Sequence, residues 1–223
     1  MSKVNVYQEN VGRSLIVELP GTKQEGVLVD YGEDITVLYN GQKYLYIPVK
    51  HIRSFRLNPL HNKEQVNSAG VPFPLTIGNI SYREILNEAK NLFIEIAVVG
   101  NVLTYGTITD ILDDYFIFVS PVYQTLLVPN EHLKWLALVN RNQSYYSLSR
   151  EAISMVSQCR KPAAKFKEQL KRLEGKFILL DMGNNPYKIG LLKSVNDETL
   201  QLITAEDEAV FYSIRHLQVL QIA

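Results

Sequence analysis

The sequence repeats one pattern three times, and this repetition constrains the fold more than any other feature. The segments GVLVDYGED, GTITDILDD and GLLKSVNDE align without a gap and begin at Gly26, Gly106 and Gly190. An apolar segment precedes each glycine and two more follow it, and each pattern ends with a histidine before Ile or Leu, at His51, His132 and His216. Self-similarity at a fixed period is the sequence signature of tandem structural repeats. We therefore expect three compact units of about 50 residues each.

The first repeat is predicted to contain five short β-strands. Residues 14–19 (SLIVEL) alternate with the period of two that a half-buried strand requires. Asn40-Gly41 predicts a hairpin with a type I′ turn, and residues 48–51 predict a tight turn before the last strand. Five short strands at this spacing are typical of a small antiparallel barrel. Gly26 is expected where the second strand bends and a side chain would clash.

A short helix is predicted before the second repeat and another before the third. Ser81 and Glu84 have the spacing of a capping box. Behind them an apolar stripe at helical spacing comprises Ile85, Leu86, Ala89, Leu92 and Phe93. Before the third repeat, Pro162 is expected in a first helical turn. The apolar positions that follow it at helical spacing are Ala163, Phe166, Leu170 and Leu173.

These signals predict where the domains begin and end. The first barrel is expected over residues 1–57, and a Pro- and Gly-containing connector over 58–80. A helix and the second barrel are expected over 81–139, and a connector over 140–161 that is helical near 149–158. A helix and the third barrel follow over 162–223.

Composition narrows the classes of function. The chain has 23 acidic and 23 basic residues among 223, so its zero formal net charge gives no general attraction to nucleic acid or membrane. The lone cysteine, Cys159, excludes an internal disulfide framework, although a crosslink between chains remains open. The polar start and the lack of an apolar run of about 20 residues predict neither a secretory signal nor a membrane span. We expect synthesis in the cytoplasm.

The residues repeated in all three units are predicted to serve the fold rather than catalysis. A zinc site needs three or four converging ligands, and no Cys or second His lies at ligand spacing from any repeated histidine. Each histidine is instead expected to cap the tight turn and bond to the backbone. The acidic pairs Glu33-Asp34, Asp113-Asp114 and Asp197-Glu198 lie at predicted turns, where such residues are favoured. We therefore predict no catalytic residue, no metal site, no cofactor and no enzymatic activity.

One basic segment supports an alternative function. Between residues 160 and 172 six basic side chains accompany a single acid, and they are Arg160, Lys161, Lys165, Lys167, Lys171 and Arg172. A basic helix can neutralise phosphates, so the alternative is a nucleic-acid-binding protein. The competing interpretation is the solvated face of a helix whose other face is apolar.

A helix followed by five strands, with a glycine early in the second strand, resembles the Sm-like fold. The resemblance implies a mainly β protein of three tandem five-stranded Sm-like barrels, the second and third each preceded by a short helix. RNA-binding Sm proteins carry Asp-x-x-x-Asn in the second turn and Arg-Gly near the last strand. This chain has Thr36, Phe116 and Leu200 at the Asn positions, and 47–51 (IPVKH) contains no Arg-Gly. Nucleic-acid binding is therefore not the favoured function.

Two longer segments resemble the small repeated domain of Bacillus spore-coat proteins of the CotB type. They are residues 12–55, GRSLIVEL through KHIRSF, and residues 113–136, DDYFIFVSPVYQTLLVPNEHLKWL. The resemblance implies a structural role in the outer layers of a spore. We therefore expect a non-enzymatic structural or assembly protein that contacts other proteins, including coat proteins, and is deposited on the spore coat. Open barrel edges predict homo-oligomers, and two chains would close a ring of six barrels.

Overall fold

A computed structural model describes residues 6–59, 73, 80–139, 145–147 and 161–223. Within these residues it contains fifteen β-strands and two short α-helices, so the protein is mainly β, as the sequence predicts. The helix expected over 149–158, most of the two connectors, Cys159 and Arg160 lie outside the described residues.

Each repeat contains five strands at the predicted places. In the first repeat they are β1 (Ser14–Leu19), β2 (Thr22–Tyr31), β3 (Ile35–Tyr39), β4 (Tyr44–Pro48) and β5 (Ser54–Leu57). In the second they are β6 (Phe93–Ala97), β7 (Leu103–Ile111), β8 (Tyr115–Ser120), β9 (Gln124–Pro129) and β10 (Trp135–Leu138). In the third they are β11 (Phe177–Leu180), β12 (Ile189–Val195), β13 (Thr199–Ile203), β14 (Ala209–Ser213) and β15 (Leu220–Ile222). Helix α1 (Tyr82–Ala89) precedes the second repeat and helix α2 (Phe166–Arg172) the third.

The chain divides into two compact units. Unit 1 comprises Met1–Leu103 and Lys134–Gln143, and unit 2 comprises Thr104–Leu133 and Ser144–Ala223. The strands of unit 1 lie in the order β6, β10, β4, β3, β2, β1 and β5. Those of unit 2 lie in the order β14, β13, β12, β11, β15, β9, β8 and β7. Strand neighbours within both units are antiparallel.

The three repeats share details of backbone geometry. The pairing of the second strand with the third shifts register after Leu28, Ile108 and Leu192, which are equivalent positions. A bulge of this kind bends the strand and increases its twist. The backbone amides of Val49, Asn130 and Ile214, which begin the tight turn, each donate to a carbonyl of the preceding acidic turn at 2.8 Å; these carbonyls belong to Asp34, Asp114 and Glu198.

Each compact unit has its own apolar core. In unit 1 the alternating side chains of β1 pack with β2, β3, β4 and β10, and the buried cluster includes Leu15, Val17, Leu28, Leu45 and Trp135. In unit 2 the cluster joins β8, β9, α2 and the strands of the third repeat, and it includes Tyr115, Leu127, Phe166, Leu202 and Leu220. The apolar alternation seen in the sequence therefore corresponds to the buried faces of both units.

Helix α1 begins where the sequence predicts but ends earlier. Ser81 is its N-cap, and both hydrogen bonds of the capping box with Glu84 are present. The predicted stripe was too long, because the helix ends at Ala89, and Phe93 already begins β6. The buried positions of the helix are Ile85, Leu86 and Ala89.

The predicted start of α2 was wrong. The helix begins at Phe166 with Lys165 at the N-cap position, so Pro162 lies before its first turn. No Lys165 side-chain bond caps this end. Instead the Asp114 carboxylate, from a distant turn, accepts the Phe166 backbone N–H at 2.7 Å. A partner 52 residues away in sequence therefore helps to determine the start of this helix.

The Asn40 hairpin forms, but its turn differs from the predicted type I′ geometry. Gly41 has a positive φ of 91°, whereas Asn40 is not among the residues with positive φ. A four-residue loop separates β3 from β4. The Asn40 side chain accepts the backbone N–H groups of Gln42 and Lys43 at 3.0 and 2.9 Å. Asn40 thus stabilises the turn through its side chain, as Asx residues often do.

Candidate functional site

The fourth strand of the first repeat pairs with the last strand of the second. Strands β4 and β10 lie side by side in unit 1, with Tyr46 opposite Leu136 and Leu45 opposite Ala137. Tyr46, Leu136 and Ala137 are fully buried. The sheet of the first repeat is therefore extended by a strand from another repeat. We call this pairing the first junction.

The same pairing recurs in unit 2. There β9 of the second repeat pairs with β15 of the third, with Leu127 opposite Leu220 and Leu126 opposite Gln221. Within each repeat, the residue that begins the third strand pairs with Pro48, Pro129 or Ser213. Counted from these positions, Leu127 is the equivalent of Tyr46, and Leu220 is the equivalent of Leu136. This second junction therefore has the same register as the first.

A partly buried ion pair crosses the first junction. The Lys43 ammonium lies 2.6 and 2.7 Å from the two Glu95 carboxylate oxygens, and the Glu95 side chain is only 4% exposed. The same ammonium lies 5.2 Å from the centre of the Trp135 ring, which is close enough for a cation–π interaction. Lys43 precedes β4, whereas Glu95 and Trp135 belong to β6 and β10. Sequence reasoning missed these residues, because only the strand pairing brings them together.

The acidic turn of one repeat caps the helix before the next repeat. In unit 1 an Asp34 carboxylate oxygen accepts the backbone N–H of Tyr82 at 2.8 Å. In unit 2 Asp114 accepts the corresponding N–H of Phe166 at 2.7 Å. Carboxylates near the first turn of a helix satisfy amides that have no partner within it. The repeated acids therefore also join consecutive repeats.

Helix α2 fills the space beside the second junction. Its residues Phe166 and Leu170 belong to the same buried cluster as Tyr115 and Leu127 of the second repeat and Leu220 of the third. The Tyr115 hydroxyl donates to the carbonyl of Ala163 at 2.8 Å in a buried position. The helix thus contributes to a core that two repeats share.

Two strands, β14 of the third repeat and β5 of the first, are not covered in this way. Strand β14 pairs with β13 and contains no buried residue. Phe211, at the position equivalent to Tyr46 and Leu127, is 62% exposed. Strand β5 pairs with β1, and its Leu57 is 49% exposed. Among the described strands, β14 and β5 are therefore the fourth and fifth strands that lack a junction.

The repeated glycines lie where two strands approach closely. A Cβ built on Gly26, Gly106 or Gly190 would lie 2.5, 2.2 or 2.1 Å from a carbonyl oxygen near the end of the third strand. Those carbonyls belong to Tyr39, Val119 and Ile203, which are equivalent positions. No side chain fits at such a distance, so the glycines serve the strand packing of each repeat.

The repeated histidines occupy the tight turn before the last strand. His51 and His216 each end a turn of 3₁₀ helix, and the His132 amide donates to the Pro129 carbonyl at 3.0 Å. The Nε2 atom of His132 lies 3.1 Å from the Arg215 carbonyl oxygen, so this ring bonds to the backbone of the next repeat. Across the described ranges no three His, Cys, Asp or Glu residues are grouped as metal ligands.

The basic residues of the alternative site have different surroundings. Lys165, Lys171 and Arg172 are exposed on or beside α2. Lys167 forms an ion pair with Asp197 at 2.6 Å, and the Arg172 guanidinium donates to the carbonyl of Lys161 at 2.9 Å. Arg160, as noted, falls outside the described residues. Part of this basic set therefore lies along one helix, and the side chains of Lys167 and Arg172 bond to other residues of the same chain.

Burial changes the pKa of several side chains in unit 1, including Tyr46, Tyr82 and Lys134. It raises the pKa of Tyr46, at the first junction, and that of Tyr82, at the start of α1. It lowers the pKa of Lys134, with a smaller contribution from Arg53, and the Lys134 ammonium donates to the Gly100 carbonyl at 2.8 Å. No helix among the described residues is long and apolar enough to cross a membrane.

These features define a class of protein: tandem five-stranded repeats that are joined edge to edge and by helix caps. A family model described as the YwrJ third domain matches residues 165–220, which comprise helix α2 and most of the third repeat. A Bacillus subtilis (strain 168) protein, named "Uncharacterized protein YwrJ", is 34% identical over 210 residues. That alignment covers 90% of this chain and 91% of the relative. The chain belongs to the YwrJ family.

Proposed function

We propose that this chain is a non-enzymatic structural protein that assembles through protein–protein contacts of three Sm-like β-barrels. The observation that carries the proposal is the junction found twice in one register, Tyr46 with Leu136 and Leu127 with Leu220. In the first and second repeats the fourth strand pairs with the fifth strand of the repeat that follows. Exposed strand edges are surfaces to which further strands add.

The Sm-like assignment rests on strand order and on the glycine. In the first repeat the order β4, β3, β2, β1, β5 places the first strand between the second and the fifth. The close approach at Gly26, together with the register shift after Leu28, favours a second strand that curves around a small barrel. The equivalent features at Gly106 and Gly190 extend the proposal to all three repeats.

The residues repeated three times support a structural role. The glycines permit close strand packing, Asp34 and Asp114 cap helices, and the His132 ring contacts a backbone carbonyl. The glycines serve the packing within each repeat, whereas the caps and the histidine contact join one repeat to the next. We infer that repetition preserves the means of joining one repeat to the next.

We further propose that the chain is a component of the spore coat or associated with it. This part rests on the resemblance of residues 12–55 and 113–136 to spore-coat proteins of the CotB type. Its cellular partners are then other coat proteins, and the chain is made in the cytoplasm and deposited on the spore.

The test follows a fluorescent fusion of the full chain in sporulating Bacillus subtilis, produced in the mother cell. We expect a fluorescent shell around the forespore and recovery of the fusion in the coat extract of purified spores. A matched fusion with three substitutions at the β14 edge, Val210→Glu, Phe211→Glu and Tyr212→Glu, should lose the shell if edge contacts mediate deposition. Diffuse fluorescence of the unaltered fusion, with none in the coat extract, would contradict the coat assignment.

A nucleic-acid-binding protein is the second candidate, favoured by the exposure of Lys165, Lys171 and Arg172 on or beside one helix. This function requires binding that weakens steeply with salt, because neutralised phosphates release counterions. Titration of labelled single- and double-stranded oligonucleotides at two salt concentrations tests it. The Lys165→Gln, Lys171→Gln, Arg172→Gln variant is the comparison. Absence of binding by the unaltered chain at low salt would exclude this candidate.

A further inference from the structure

In the third repeat the fourth strand, β14, does not pair with a strand of another repeat among the described residues. At the equivalent position of the fourth strand, Tyr46 and Leu127 are both 0% exposed, whereas Phe211 is 62% exposed. All five residues of β4 and five of the six in β9 are buried, but none of β14 is. A strand designed for an exposed edge usually carries charges or proline rather than an exposed aromatic side chain. Strand β14 therefore has the composition of a covered strand.

The first repeat presents the complementary strand. Phe55 of β5 occupies the position of Leu136 and Leu220, because Val17, Ile96 and Leu180 are their equivalent partners in the neighbouring strand. Leu136 and Leu220 are fully buried at the two junctions. The outer edge of β5 has no strand neighbour among the described residues.

We propose that β14 of one chain pairs with β5 of a second chain, antiparallel and in the register of the two internal junctions. This places Phe211 opposite Phe55 and Val210 opposite Arg56. The inference rests on the proposed function and identifies the occupant of this edge as a second copy of the chain. An aromatic pair directly opposite on two strands is a favourable cross-strand contact.

Charges at the two edges are complementary. Three acids, Glu206, Asp207 and Glu208, immediately precede β14, and two exposed arginines, Arg53 and Arg56, lie in or beside β5. In the proposed register Glu208 and Arg56 are diagonal neighbours on one face of the strand pair. Opposite charges at such positions are attractive. The same register that pairs the phenylalanines therefore brings these charges together.

Such a contact is head to tail, because it joins two different surfaces of the same chain. Two contacts of this kind join two chains into a closed pair of six repeats, and an unclosed series forms a filament. The closed pair of chains and the filament both contain the same pairing of β14 with β5. A chain that stays monomeric forms no such pairing.

The first experiment measures the mass of the full chain by sedimentation velocity over a wide range of concentration. We expect two chains or larger multiples for the unaltered protein. Phe211→Glu should weaken association by roughly tenfold or more, because it places a carboxylate directly opposite the apolar Phe55 side chain. The matched control is Phe177→Glu, since Phe177 is 66% exposed on β11, which lies outside the proposed contact. A monomer at all concentrations, or equal loss of association in both variants, would overturn the proposal.

The second experiment tests the register in chains that lack Cys159 through a Cys159→Ser substitution. One chain carries Phe55→Cys, the other carries Phe211→Cys, and the two are mixed and oxidised. Opposite residues have Cβ atoms about 4.5–5.5 Å apart, close enough for a disulfide after small adjustment. We expect a disulfide-linked heterodimer, and much less of it when Phe55→Cys is replaced by Ser54→Cys. Equal yields from both pairs would reject this register.

The two proposals fail in different ways. A monomeric chain that still enters the coat extract would overturn self-pairing and leave the structural role, with another protein as the occupant of β14. A chain that associates and crosslinks as expected but stays out of the coat would do the reverse.

Discussion

The carboxylate of Asp114 accepts the backbone N–H of Phe166 at 2.7 Å, although the two residues lie 52 positions apart. Asp34 and Tyr82 form the same contact at 2.8 Å, 48 positions apart. In both cases the acid belongs to the second turn of one repeat, and the amide begins the helix before the next. Each hydrogen bond therefore connects one repeat to the helix that precedes the next repeat in the sequence.

The cap predicts a specific loss of stability. Asp114→Ala removes the acceptor and should lower the free energy of unfolding by about 1 kcal/mol, as the loss of a helix cap commonly does. Asp114→Asn keeps an acceptor oxygen and should lose less. Urea denaturation followed by circular dichroism gives the comparison. Asp113→Ala is the matched control, because Asp113 is also exposed but bonds to Ala164 through its backbone amide. A similar loss in both alanine variants would contradict the capping role.

The ion pair at the first junction predicts a larger effect. Lys43→Met leaves the buried Glu95 carboxylate without its cation, and the free energy of unfolding should fall by about 3 kcal/mol. Changing both residues, Lys43→Met with Glu95→Met, should restore much of the loss, because no uncompensated charge remains. A double-mutant cycle in urea measures this coupling.

The control for that cycle is the exposed pair of Lys23 and Glu18, which are 3.1 Å apart with side chains 63% and 41% exposed. Lys23→Met should leave the urea midpoint almost unchanged, since exposed ion pairs contribute little. If Lys23→Met and Lys43→Met have equal effects, burial at the junction does not strengthen the Lys43–Glu95 pair.

Local features of the sequence predicted the strands and helices well, but they did not predict how the repeats are joined. The alternation in 14–19 and the Ser81–Glu84 capping box act over a few residues, and both structures form as expected. The contact between Lys43 and Glu95 depends on β4 meeting β10, which is about 90 residues away in sequence. No periodicity encodes that pairing. The misplaced start of α2 has the same origin, because its cap, Asp114, comes from another repeat.

The repeated acids show a partial success of the same kind. Their position after the second strand correctly predicted turns, for which backbone preferences suffice as a reason. The second role of Asp34, as a cap for α1, was not predicted, because it depends on Tyr82, 48 residues later in the sequence, lying beside this turn. The exposure of Phe211 was not predicted, because an apolar residue in a strand is ordinarily a core residue, and only the burial of the equivalent residues Tyr46 and Leu127 distinguishes it.

The glycine register predicts intolerance of even one methyl group. Gly190→Ala would bring Cβ to 2.1 Å from the Ile203 carbonyl oxygen, so β12 and β13 must separate. We expect a loss of about 1–3 kcal/mol in the free energy of unfolding, as for other overpacked sites. Lys193→Ala, at an exposed position of the same strand, is the control and should have little effect. Thermal denaturation of both variants decides, and equal melting temperatures would contradict the close approach.

Burial of Tyr46 predicts a loss of stability at alkaline pH. Burial raises the pKa of Tyr46 in the folded chain, whereas the unfolded chain has the ordinary value of about 10. Above that value the unfolded chain releases a proton that the folded chain retains. The free energy of unfolding therefore falls as pH rises, by up to about 1.4 kcal/mol per pH unit for this group. Below pH 10 the contribution is fully present.

Urea denaturation at pH 8 to 11 tests this dependence. Tyr46→Phe removes the ionisable group from the first junction, so its stability should decline less steeply above pH 10 than that of the unaltered chain. Tyr187→Phe, at a residue 45% exposed, should retain the original slope. Other tyrosines whose pKa is raised by burial, including Tyr82, contribute equally to all three proteins and cancel in the comparison. Parallel slopes for Tyr46→Phe and the unaltered chain would mean that Tyr46 ionises without opposing the fold, which is incompatible with a fully buried hydroxyl at this junction.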